Sequence, residues 1–317
     1  MEGMRLPDTS AKAIGRKQPH RLHLATSPAE LEQALAAHDL RIEDLLANHG
    51  VQIGDSQGLL AVGSIAEQLG TPSSDLDLLV LTDTPWDRDG APAMVMEWEA
   101  SRETVTYKNG VEINLELVTR EDLRRALNAF LEVGPLLFDE RGLSSMPIIG
   151  MAERHLLHRL RSGWPLRGEA IVERWRDEFL VVLYPFYLAL LHFVGFNEMR
   201  EDAAALEGPD DGSFAIAARM TAAEGLSCLL ALQGVTNPKP KWVMRLADRF
   251  LAQSHPDLHR ELAKLMFLPR SQHSDKRSQV LHTLDRIGSR LTTRLREQSE
   301  LKPAVEFVTV QIDYVEG

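Results

Sequence analysis

The chain has 317 residues, 44% of them hydrophobic, and a formal charge of −11 at pH 7. This length accommodates about two domains with separate cores, and the acidic balance argues against a nucleic-acid partner, which calls for a basic face. The single cysteine, Cys228 in an apolar helical run, excludes an internal disulfide and reads as a buried thiol in a reducing, cytoplasmic compartment.

Residues 1–26 scatter Arg5, Lys12, Arg16, Lys17 and Arg21 without an apolar stretch, the pattern of a flexible arm and not of a signal peptide. Ser27-Pro28-Ala29-Glu30 then supplies an N-cap, a proline at the first helical position and an acid completing a capping box. A helix is predicted from there to about Asn48, ended by Gly50.

Residues 58–82, GLLAVGSIAEQLGTPSSDLDLLVLT, bring an apolar run to Gly63-Ser64 and open a second run with Asp75 and Asp77. Alternation along a strand points both aspartates to one face, roughly 7 Å apart at Cα, and turns Leu76, Leu78 and Val80 into a core. Carboxylates so spaced can share divalent cations. Gly63 leaves room for a phosphate to approach the backbone, and Ser64 offers a hydroxyl and an amide where a helix is expected to begin.

Downstream, ETVTYKNGVEINLELV contains Asn109-Gly110, a hairpin signal, between Val105/Tyr107 and the alternating run Val111 to Val118. Glu112, Asn114 and Glu116 fall on one face, with Ile113, Leu115 and Leu117 on the other. If this strand neighbours the one bearing Asp75 and Asp77, three acids converge, at a cost of several kcal/mol unless cations bind there. Spacing alone does not choose between Glu112 and Glu116. Thr119, with Asp122 three residues on, starts a helix carrying Leu123, Leu127 and Phe130 on one stripe.

From Met151 onward the periodicity is helical. Segments 151–162, 169–196, 214–234, 240–253, 256–267 and 274–299 are the predicted helices of an all-α domain. Residues 179–196 reach the length of a membrane span, but Pro185, His192 and the tyrosines favour a buried bundle helix, so no membrane is expected. His155/His158 and His255/His259 have helix-face spacings without a zinc motif, and Glu207 to Asp211 reads as an exposed loop. At Asn237-Pro238-Lys239-Pro240-Lys241-Trp242 a helix start coincides with two lysines, followed by Arg245, a patch suited to gripping an anion. The last residues alternate Val308, Val310, Ile312 and Tyr314, as in a closing strand over 301–317.

In Gly63-Ser64, Ser74-Asp75-Leu76-Asp77 and Val111-Glu112-Ile113 the chain resembles the nucleotidyltransferase superfamily, most closely its kanamycin and streptomycin/spectinomycin branch. The resemblance runs from Gly58 to Gly142, where GPLLFDERG at 134–142 is similar to the strand and Asp-containing turn that close the family's catalytic domain. It departs from the family at Ile65-Ala66-Glu67, where many members carry a basic or small residue, so a cation for the phosphates must come from elsewhere. The resemblance implies an α/β (α+β) catalytic domain with a mixed sheet over 27–145, followed by the helical-bundle domain over 146–300. It selects Glu112 over Glu116 as third carboxylate. It further implies Asp75, Asp77 and Glu112 as catalytic and Mg²⁺-holding residues for two ions, and Gly63, Ser64 and Ser74 as nucleotide-binding ones, to which the lysine patch adds Lys239 and Lys241.

The implied reaction moves a nucleoside monophosphate, with ATP the expected donor, to a hydroxyl and releases pyrophosphate. The expected acceptor is a small molecule such as an antibiotic or secondary metabolite, bound between domains or in a homodimer. AMP transfer to a protein side chain and a non-catalytic nucleotide-binding regulator are the alternatives.

Overall fold

Asn109 and Gly110 adopt φ of 52° and 79°, the left-handed pair a two-residue hairpin turn requires. They join β4 (Ser101–Lys108) to β5 (Val111–Thr119) in antiparallel register. The computed structural model describes residues 20–47, 51, 53–54, 56–83, 96–98, 101–133, 149–206, 211–237, 239–269 and 276–298. The 134–142 motif, the strand expected at 301–317, residues 1–19 of the arm, Gly50 and Glu207 to Asp210 lie outside the described residues.

Two compact units are formed, one by residues 1–123 with 162–174 and the other by 124–161 with 175–317. The first holds a mixed six-stranded sheet, order β3-β4-β5-β2-β1-β6, with β1 at Gly58–Val62, β2 at Leu76–Thr82, β3 at Met96–Trp98 and β6 at Trp164–Arg167. β2 pairs with β5 in parallel and the other pairings are antiparallel. β6 occupies the gap between the helices predicted at 151–162 and 169–196. Arg167 on β6 reaches both Glu32 and Glu43, tying this edge strand to the N-terminal helices.

One face of the sheet carries Leu59, Ala61, Leu76, Leu78, Val80, Ile113, Leu115 and Leu117, all buried in a single core with Leu31, Leu35 and Leu45. Strand alternation produces this face, as the sequence pattern predicts. The helix predicted over 27–48 is instead two, Pro28–Ala36 and Ile42–Ala47. Asp39, at φ 53°, breaks it; a short polar side chain tolerates the left-handed conformation there. Ser27 Oγ does cap the first helix, accepting from Glu30 N–H at 3.3 Å, while the Glu30 carboxylate accepts from Thr26 N–H and hydroxyl, both at 2.8 Å.

After β5, Thr119 Oγ1 accepts from Asp122 N–H at 3.1 Å and donates to Asp122 Oδ2 at 2.6 Å, starting helix Arg120–Ala126. Thr119→Ala is expected to cost about 1 kcal/mol by urea denaturation, the usual value of such a cap; an unchanged midpoint would show that the cap contributes nothing.

Among its described residues the second unit is helical, with helices Met151–Ser162, Tyr184–Ala205, Asp211–Leu232, Val243–Ser254, Pro256–Phe267 and Arg277–Arg296. The predicted 169–196 helix divides into Glu169–Glu178 and Tyr184–Ala205. Leu180 at φ 51° turns the chain, and Pro185, lacking an N–H, sits in the first turn of the second helix, where none is needed. Among the described residues one helix, Gly212–Leu232, is long and apolar enough to cross a membrane by length and composition, and 61% of that stretch is buried. Cys228 lies fully buried within it, and burial pushes its thiol well above the ordinary range.

Candidate active site

The end of β1 and the start of β2 are adjacent, with Val62 opposite Asp77 in the ladder. Immediately after Val62 the chain turns into a single helical turn, Gly63–Ala66. Gly63 has φ +71°, and a Cβ built there would fall 2.2 Å from Asp77 Oδ2. The positive φ favours glycine, and an added Cβ would push the Asp77 carboxylate aside. The space this glycine leaves open is thus occupied by the Asp77 carboxylate.

β2 and β5 run in parallel register with Asp77 opposite Asn114 and Leu79 opposite Glu116, which puts Glu112, Asn114 and Glu116 on the sheet face of the two aspartates. Asn114 Nδ2 donates to Asp75 Oδ2 at 3.1 Å and to Asp77 Oδ1 at 3.0 Å. One amide therefore gathers an oxygen from each carboxylate. Asn114 Oδ1 is buried without a hydrogen-bond partner among the described residues. The amide is oriented by the carboxylates, since the reverse placement would set its oxygen against two anions.

Glu112 belongs to the same face but is engaged elsewhere: Tyr107, its cross-strand neighbour, donates its hydroxyl to Glu112 Oε2 at 2.7 Å. Among the described residues no three His, Cys, Asp or Glu side chains are grouped closely enough to hold one ion. Two carboxylates and a carboxamide meet here, and the third acid stands beside them. Glu116 is buried, at 8% exposure.

Ser64 is half-buried at the start of the single turn, and its carbonyl accepts from Leu69 N–H at 2.8 Å. Ser74 serves the loop before β2: its hydroxyl accepts from Thr71 N–H at 2.8 Å, and its carbonyl accepts from His20 Nε2 at 2.7 Å. That clamp fixes the approach to Asp75. In the helical unit, Lys239 precedes a 3₁₀ turn, Pro240–Trp242. The Lys241 ammonium lies 5.0 Å, and the Arg245 guanidinium 5.6 Å, from the centre of the Trp242 ring. The patch therefore sets two cations against one indole ring.

Asn114 is the residue that sequence reasoning passed over. Its presence on the polar face of β5 was visible, but its place opposite Asp77 depends on the strand register.

No protein-family model matches the chain, and no curated protein sequence matches it. Among solved structures, it is similar to the crystal structure of a nucleotidyltransferase-like protein from Exiguobacterium sibiricum 255-15, at 15% identity over 90% of each chain with a TM-score of 0.44. An overlap this low carries neither fold nor function across.

Proposed function

We propose that the chain is a Mg²⁺-dependent nucleotidyltransferase that moves a nucleoside monophosphate, with ATP as donor, onto a hydroxyl of a small molecule. The observation that carries this reading is the convergence of Asp75 and Asp77 on one donor nitrogen, at 3.1 and 3.0 Å, above a glycine with no room for a side chain. Carboxylate oxygens so gathered suit a hard divalent cation, which prefers oxygen ligands. Asp75 and Asp77 would hold it, with Glu112 contributing to a second ion. When bound, Mg²⁺ supplies charge neutralisation on the α-phosphoryl group and on the departing pyrophosphate.

The rest falls to the chain's own groups. The acceptor oxygen forms a bond to the α-phosphorus, the bond from that phosphorus to the bridging oxygen breaks, and pyrophosphate leaves. Glu112 takes the acceptor proton, with Tyr107 holding its carboxylate in place. Gly63 and Ser64 grip the terminal phosphates through backbone amides and a hydroxyl, and Ser74 keeps the loop before Asp75 in position. The acidic balance of the chain suits a cationic acceptor.

The test is pyrophosphate release from each NTP with Mg²⁺ over a panel of hydroxyl-bearing acceptors, aminoglycosides included. Release that needs both metal and acceptor is expected, and its absence across the panel counts against the reading. The Lys239 and Lys241 patch of the helical unit is proposed to bind a phosphate-bearing anion. Lys239→Glu or Lys241→Glu should raise KM for the NTP by about tenfold, the scale of one charged contact, with kcat nearly unchanged. An unaltered KM returns both lysines to an ordinary solvated helix start.

A further inference from the structure

Asp75 and Asp77 sit side by side in a half-buried site at the edge of the core, where two carboxylates repel each other more strongly than in water. A neutral group bridges them: both hydrogen bonds from Asn114 Nδ2 go to these two aspartates. The amide does so while its own Oδ1 stays buried without a hydrogen-bond partner among the described residues, an arrangement that local packing alone gives no reason to keep.

We propose that Asn114 is a positioning residue that stands in for the cation, holding the two carboxylates together in the metal-free protein and competing with the metal for the same two oxygens. This rests on the reading of Asp75 and Asp77 as metal ligands. The partial positive charge of the amide protons lies where a cation shared by Asp75 Oδ2 and Asp77 Oδ1 would have to approach, so amide and metal exclude each other there. Two consequences follow: the carboxylates stay arranged when the site empties, and the site gives up its metal more readily than two bare carboxylates would.

The experiment uses the full-length chain, with Mn²⁺ as probe, calorimetric titration for affinity and thermal melting in chelator against melting in Mn²⁺. Asn114→Ala should melt below the parent protein in chelator, bind Mn²⁺ about tenfold more tightly, the share of one charge-assisted hydrogen bond, and show a larger Mn²⁺-induced rise in Tm. Asn114→Asp, of nearly the same shape, should melt lowest in chelator and regain the most on adding Mn²⁺. If Asn114→Ala does not fold in chelator, the isosteric variant carries the comparison. Equal Mn²⁺ affinity and equal Tm shifts in variant and parent reduce Asn114 to a structural filler, and weaker Mn²⁺ binding by Asn114→Ala makes it a direct ligand; both overturn the proposal. A parent protein that does not respond to Mn²⁺ at all overturns the metal reading itself, and this inference with it.

Discussion

Gly63→Ala is expected to abolish nucleotidyl transfer while leaving the protein folded. The alanine Cβ would lie 2.2 Å from Asp77 Oδ2 and 3.1 Å from its Cγ, at a residue held at φ +71°. The obstruction is the tip of a side chain, so the strands need not separate: the carboxylate swings away, and the left-handed backbone adds about 1–2 kcal/mol of strain. Displacing a metal-holding carboxylate by about 1 Å is enough to cost on the order of 100-fold in rate, and relieving a 2.2 Å contact calls for a shift of that size. The measurement is turnover beside a urea denaturation curve. Turnover near the parent level would mean that Asp77 does not act from its present position. Gly168 supplies the contrast, for at φ +62° its added Cβ would meet the backbone carbonyl of Gln57 at 2.2 Å. Backbone cannot swing aside, so that position governs stability.

Asp75→Asn and Asp77→Asn are each expected to lower turnover by about 10³-fold or more, since the ion they hold is worth several kcal/mol of transition-state stabilisation. Both variants should keep the parent circular dichroism spectrum and melt at or above the parent temperature in chelator, because each removes one of two repelling charges. Loss of turnover with stability kept distinguishes a functional carboxylate from a structural one, whose removal would destabilise the fold. Near-normal turnover in both variants would reject the metal assignment.

Much of the first unit was legible in the sequence because its cues are local. Asn109-Gly110 announces its turn through the two residues that tolerate positive φ, and the alternation of β5 separates Ile113, Leu115 and Leu117 from Glu112 and Asn114 without any knowledge of neighbours. The same holds for helices Met151–Ser162 and Pro256–Phe267, whose predicted bounds match the observed ones. Where the outcome depends on contacts across the chain, the sequence is silent. Trp164–Arg167 is too short, and carries a proline, to declare itself a strand; its place beside β1 comes from pairing some 100 residues away. The predicted helices over 27–48 and 169–196 were too long because Asp39 and Leu180, unremarkable residues in a helical pattern, adopt left-handed backbone.

In the candidate site, alternation placed Asp75 and Asp77 on one side, and although Asp75 lies one residue before β2 both meet the same donor nitrogen. Gly63 stood out in the sequence as room for a phosphate to approach the backbone; that its missing Cβ also admits the Asp77 carboxylate depends on the pairing of β1 with β2. Asn114 could have been found by one further step. Parallel pairing of β2 with β5, with Leu76 beside Ile113, puts a carboxamide opposite an aspartate, and a donor beside two acceptors is a hydrogen bond in waiting.

Where a divalent ion binds decides the function of Asp75 and Asp77. Crystals grown with Mn²⁺ and a non-hydrolysable ATP analogue, measured for anomalous scattering from manganese, answer this directly. Anomalous density is expected between the carboxylates of Asp75 and Asp77, with the phosphates against the Gly63-Ser64 backbone and the Asn114 amide turned away. Nucleotide and manganese bound elsewhere, with Asn114 still bridging the two aspartates, would contradict the metal assignment.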